Sequence, residues 1–154
     1  MQLGFTTDPI KIGRSDILYI AQSKFKSTLE EPTGNFDYNK WVDFIESHKD
    51  YFIWYEDTED GTYRKNNMDN VPDWAREGIS YQLNKAHAYS TNKMTKNPKD
   101  IRVVFSKKNG TISIDLERKP SKTAVQILLE MAKFLNGKLF RNGNKEIESI
   151  EQVE

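Results

Sequence analysis

Two histidines, His48 and His87, are the only imidazoles in this 154-residue chain, which has no cysteine. A zinc or general-base site would need them in a spacing such as H-x-x-x-H, or beside a serine in a nucleophile motif, and neither arrangement occurs. Both histidines are therefore expected in structural or surface roles. The missing cysteine excludes disulfides, zinc–cysteine sites and a thiol nucleophile. The densest carboxylates are Glu56, Asp57, Glu59 and Asp60. Hard cations favour such oxygen ligands, but a calcium loop needs acids at alternate positions before its glycine and a glutamate six residues after it. Asp57-Thr-Glu-Asp-Gly61 has neither, so a solvated turn is expected over a metal site. No glycine-rich phosphate loop follows a strand, because Gly110 and Gly137 are needed in a turn and a cap. The expectation is a chain with no catalytic residues, no metal and no cofactor.

Binding remains. The formal net charge is zero, yet the charges are unevenly placed. Thr91 to Lys122 holds nine Lys or Arg against three acids, and Lys93, Lys96, Lys99, Arg102, Lys107 and Lys108 form a lysine-rich stretch over 93–108. That stretch suits a nucleic-acid-associated regulator, or lysines that keep a sheet edge soluble. No helix-turn-helix, zinc-finger or ribonucleoprotein motif accompanies it, and the pI near 6.8 lacks a basic footprint, so nucleic acid is the alternative partner. The acids gather in the 56–60 segment, beside Trp54, Tyr55, Tyr63 and Trp74. Most of those rings should be core. Any at the surface would join the carboxylates in a patch that anchors a protein partner. The expected partner-binding residues are Tyr55, Glu56, Asp57, Glu59, Asp60 and Tyr63.

The elements that must position these residues are clearest between Ile101 and Arg141. Ile101–Ser106 and Thr111–Glu117 are β-branched runs around Asn109-Gly110, which predicts a two-residue type I′ hairpin. Phe105 then faces Ile114, and Val103 faces Leu116. Ile101, Val103, Phe105, Ile112, Ile114 and Leu116 share one apolar face. A helix follows, N-capped by Ser121 and closed by Gly137 in the left-handed C′ position. Its apolar residues Ala124, Ile127, Leu128, Met131 and Leu135 cover the hairpin. Lys138–Arg141 reads as a strand reached by a right-handed crossover.

The remaining chain is read in the same way. Residues 1–14 form an irregular lead-in with a candidate edge strand at Ile10–Ile12. Ser15 caps a helix from Asp16 to about Glu30, although Ile17–Ile20 equally suits a strand. Asp37 caps a helix carrying Trp41, Phe44, Ile45 and His48 at i, i+3, i+4, i+7. Tyr51–Tyr55 reads as a central strand covered on both faces, ending in an acidic turn from Glu56 to Gly61. Pro72 opens a helix with a stripe of Ala75, Ile79, Leu83 and Ala86, or one that stops near Gly78 and leaves a strand over 81–89. Residues 143–154 form an acidic tail or a last helical turn. The sum is a single α+β domain over 1–154, with an antiparallel or mixed sheet and helices packed on it.

The order of a Trp-containing helix (Trp41-Val-Asp-Phe-Ile-Glu-Ser-His48), an acidic turn, a hairpin, a helix and Leu135-Asn-Gly-Lys-Leu-Phe-Arg-Asn-Gly143 resembles small bacterial proteins. Some of these are similar to immunity proteins of contact-dependent or type VI polymorphic toxin systems. The likeness spans roughly 38–147 and rests on element order. It implies a domain that binds and blocks a cognate toxin without catalysis of its own. No signal-like start or membrane-length apolar run is present, so the expected address is the cytoplasm.

Overall fold

The computed structural model describes residues 9–25 and 34–154. Eleven elements give the fold its shape. β1 (Ile17–Ala21) precedes α1 (Tyr38–Ser47), β2 (Phe52–Trp54), α2 (Glu59–Asn66), α3 (Asp73–Gln82) and β3 (His87–Ser90). β4 (Ile101–Ser106), β5 (Thr111–Leu116), α4 (Lys122–Phe134), β6 (Lys138–Arg141) and β7 (Lys145–Ile147) follow. The strands form one sheet in the order β2-β3-β4-β5-β1-β6-β7, and every pairing within it is antiparallel. The expected α+β architecture is therefore the observed one.

One face of the sheet is core. Leu18, Ile20, Ile101, Val103, Phe105, Ile112, Ile114 and Leu139 form one buried cluster with Trp41, Phe44 and Ile45 of α1 and Ala124, Ile127, Leu128 and Met131 of α4. Alternation along each strand sends the intervening side chains to the other face. There Ile53, His87, Tyr89, Arg102, Val104, Ser113 and Asp115 are half-buried, and Ile17 is exposed. α1 and α4 are capped as their sequences require: Asp37 accepts from the N–H groups of Asn39 and Lys40, and the Ser121 hydroxyl accepts from that of Ala124. β5 and β6 both run antiparallel to β1, hence parallel to each other, so α4 is a crossover helix that returns the chain beyond β1.

Several expectations are corrected. Residues 16–21 do not begin a helix. The run Ile17–Ala21 is a strand inside the sheet, where pairing on both sides buries Leu18, Ile20 and Ala21. Tertiary packing decides such a short apolar run. The later part of that expected helix, 26–30, and residues 1–8 of the lead-in lie outside the described residues. Strand β2 is an edge strand with Ile53 half-buried, and the chain leaves it in a single 3-10 turn at Tyr55–Asp57. The 56–61 segment is thus the end of that 3-10 turn and, after an extended Thr58, the first turn of α2, in place of a single acidic turn. The helix after Pro72 runs through Gly78 to Gln82, and β3 begins at His87, so each parse of 81–89 holds in part.

The hairpin register is also shifted by two. Phe105 pairs with Ile112 and Val103 with Ile114, because Lys107 to Gly110 form a four-residue loop. Only Gly110 of the Asn-Gly pair takes positive φ, at 64°, whereas type I′ needs both. A two-residue shift preserves side-chain parity, so all six expected residues are buried on one face. At the end of α4 the left-handed residue is Asn136 (φ 58°), and Gly137 donates its N–H to the Ala132 carbonyl at 2.8 Å. This Schellman closure moves the cap one residue earlier. Gly137 is needed for space: a Cβ there would lie 2.3 Å from the Phe36 ring. The 143–154 segment is an ordered part of the fold, with β7, a 3-10 turn at Ile150–Gln152, buried Ile147 and Val153, and a parallel bridge from Val153 to Ile10.

Candidate protein-docking surface

Between β2 and β3 the chain builds two helices that take little part in the core. Thr58 starts the first of them. Its backbone is extended, its hydroxyl accepts from the Gly61 N–H at 3.0 Å, and the same hydroxyl donates to the Tyr55 carbonyl at 2.6 Å. Glu59 and Asp60 follow in the first turn of α2, where carboxylates offset the positive end of the helix. The third residue has to be glycine, because a Cβ on Gly61 would stand 1.8 Å from the Tyr55 carbonyl oxygen. The bend is thereby pressed against β2, whose Trp54 is buried and donates its indole N–H to Glu46 at 3.1 Å.

Among the described side chains α2 buries only Gly61, and α3 buries none. Ala75 and Ile79 give α3 a half-buried stripe. Trp74, one position off that stripe, is 87% exposed, and Tyr63 on α2 is 67% exposed. A shallow recess of about 230 Å³ lies between the helices, lined by Tyr63, Arg64, Asn67, Val71, Pro72 and Ile79. Residues 56–77 contain seven acids and three basic residues in a chain of zero net charge. Aromatic rings exposed among excess carboxylates are the combination that docks a basic protein surface.

The six residues expected to bind a partner do not form one patch. Asp57, Glu59, Asp60 and Tyr63 are exposed. Asp57 lies 3.9 Å from Lys49, and Asp60 lies 3.8 Å from Lys99. Glu56 turns inward and accepts the Lys85 N–H at 2.7 Å, which ties the start of this segment to the turn before β3. Tyr55 goes to the opposite side, its ring 6.5 Å from His87 and 6.0 Å from Tyr89 on the open face of the sheet. Trp74, not among the six, is the most exposed large hydrophobic among the described residues. Its signal was its offset from the Ala75 and Ile79 stripe: a helical residue out of phase with the apolar side points to water.

Both histidines are engaged within the chain, and His48 Nδ1 also lies 3.1 Å from the Ser47 hydroxyl. His48 stacks on Phe44 with ring centres 3.9 Å apart and is hydrogen-bonded through Nδ1 to the Phe44 carbonyl. His87 is held neutral, its pKa lowered from 6.5 to about 4 by burial first and by the Arg102 charge second, against the opposing pull of Asp115. The unfolded chain binds this proton more readily than the folded one, so the stability His87 contributes is full above pH 6.5 and lost as pH falls through about 4. In calorimetry the melting temperature of the wild type should fall over that interval more steeply than that of His87→Gln. Parallel curves would remove the assignment.

The lysine-rich stretch is dispersed. Arg102 donates to Asp115 from Nε at 3.0 Å and again from its terminal nitrogen. Lys99 faces Asp60, and Lys107 lies over the rings of Tyr38 and Tyr81 at the far end of β4. Lys99, Arg102 and Lys107 are thus engaged within the chain, at separate places. Among the described residues no helix is long and apolar enough to cross a membrane. Comparison of the chain with known protein families, with curated proteins and with solved structures gives no match.

Proposed function

We propose that this chain is a protein-binding module that docks through α2 and α3 to a partner with a basic surface. In its most concrete form it is an immunity-type inhibitor that occupies a cognate toxin in the bacterial cytoplasm. The observation that carries the reading is Trp74, 87% exposed on a helix that buries no side chain of its own. A ring this exposed contributes nothing to the core and supplies the kind of anchor on which interface energy concentrates. The surrounding acids would speed encounter with a basic surface, and the buried ring would slow release. A basic catalytic or RNA-facing cleft fits both features.

The test uses the full chain and, as candidate partner, the product of the gene that neighbours its own. Wild type should form a complex and protect cells from that protein. Trp74→Ala combined with Tyr63→Ala should keep the melting temperature, since both rings are exposed. Affinity should fall at least tenfold, about 1.4 kcal/mol. Undiminished binding by the double variant would move the interface elsewhere, and absence of any complex with wild type would end the inhibitor reading.

A further inference from the structure

On the face of the sheet opposite α1 and α4, Phe25 covers the β1–β6 end, packing edge-on against Tyr19 at 4.9 Å in a small buried cluster with Ala21 and Phe140, and the rest is ordered in rows across the strands. Backbone pairing aligns Ile53, Tyr89, Arg102, Asp115 and Ile17 in one row from β2 to β1. The next row holds His87, Val104, Ser113 and Tyr19. Arg102 and Asp115 lie side by side on β4 and β5, in the middle of the sheet, and their side chains remain 42% and 40% exposed. Burial opposes the charge on Arg102, but the hydrogen bond and the charge of Asp115 outweigh it and raise the guanidinium pKa. The Arg102 guanidinium therefore keeps its charge at the centre of a half-apolar face.

We propose that two copies of this chain dock through this face about a two-fold axis that runs along the strands between β4 and β5. Such an axis sets Arg102 of one copy opposite Asp115 of the other, twice over, so each intramolecular pair becomes part of a four-charge cluster of alternating sign. The same axis sets Tyr89 opposite Ile17 and His87 opposite Tyr19, ring against side chain, while Val104 meets the small Ser113. Charge complementarity thus follows from register alone. At the ends of the rows Asp100 would approach Glu117. Asp100 is countered there by Arg118 at 3.4 Å. A net charge of zero adds no long-range repulsion between copies. This surface is distinct from the one carrying Trp74, and the inference does not depend on the proposed function.

Sedimentation velocity of the full chain tests it. Between about 1 and 100 µM, wild type should pass from monomer to dimer, because association follows mass action. Arg102→Asp alone and Asp115→Arg alone should each remain monomeric, since each presents like charges to its own copy. An equimolar mixture of the two should restore the dimer, which a merely structural role for the pair would not do. Ile17→Glu changes a residue already 37% exposed at a strand end and should weaken association at least tenfold while leaving the fold intact. It decides the matter alone if the charge variants do not fold. A wild type that stays monomeric throughout overturns the proposal and leaves the face to a foreign protein. So does a mixture of folded single variants that stays monomeric, or an Ile17→Glu variant that self-associates as wild type does.

Discussion

Replacing Phe105 by alanine is expected to destabilise the fold by about 3–5 kcal/mol, the range for emptying a buried aromatic site. Phe105 is almost wholly buried on β4 and pairs with Ile112 across the hairpin. Its ring centre lies 5.4 Å from that of Trp41 and 5.3 Å from that of Tyr38. Those neighbours cannot easily close the gap. Trp41 is fully buried and also packs edge-on against Trp54, and the Tyr38 hydroxyl is engaged by the Lys85 carbonyl at 2.9 Å. A rigid wall leaves more cavity, and cavity volume sets the upper part of the range. Lost ring contacts add about 0.5–1.5 kcal/mol per pair. Urea denaturation measures the loss. A value below about 1 kcal/mol would mean that α1 does not rest on the hairpin as described.

Gly110→Val should be at least as damaging, for two separable reasons. Gly110 has φ 64°, a region that a β-branched side chain rarely enters. A Cβ there would also lie 2.8 Å from the backbone N and Cα of Asn35 and from the N of Phe36. That contact is a backbone clip: the N–H groups of Asn35 and Phe36 donate to the carbonyls of Asn109 and Gly110 at 2.8 and 3.0 Å. The substitution therefore strains the hairpin loop and pushes away the segment that leads into α1. The left-handed conformation alone costs about 1–2 kcal/mol, and the clash adds to it, because backbone cannot rotate aside as a side chain can. A variant that melts within a few degrees of wild type would show that the clip is not part of the folded state.

Faces were easier to read from the sequence than neighbours. The alternation from Ile101 to Leu116 named all six core residues of the hairpin even though the register was displaced, since a period of two survives any even shift. The caps Asp37 and Ser121 were legible because the chemistry of capping is local. Ile17 to Ile20 was ambiguous because its state depends on β5 and β6, which lie far along the chain. Tyr51 to Tyr55 looked central because Phe52 and Trp54 are large and apolar, yet one buried face suffices for both on an edge strand. The docking segment held a missed local signal: Thr58 followed by Glu59 and Asp60 is the signature of a capped helix start, and counting carboxylates as a cluster hid it. Residue type alone expects most of Trp54, Tyr55, Tyr63 and Trp74 in the core without saying which lie outside, whereas the phase of Trp74 in α3 singles it out as exposed.

The position of β1 has a consequence for how the chain is made. Ile17 pairs with Asp115 and Leu18 with Arg141, so the strand synthesised earliest among the described elements finds its partners only after about a hundred further residues have been made. Until then its buried face of Leu18 and Ile20 has no sheet to enter. Helices α1 and α4 can form from local contacts, but the pairings that close the sheet are among the most distant in sequence, which slows folding toward milliseconds to seconds for topologies of this kind. β6 and β7 join the other strands only through β1. A nascent or cleaved chain without it holds a four-stranded and a two-stranded sheet, each with a bare edge facing the gap, and is in the state most exposed to aggregation.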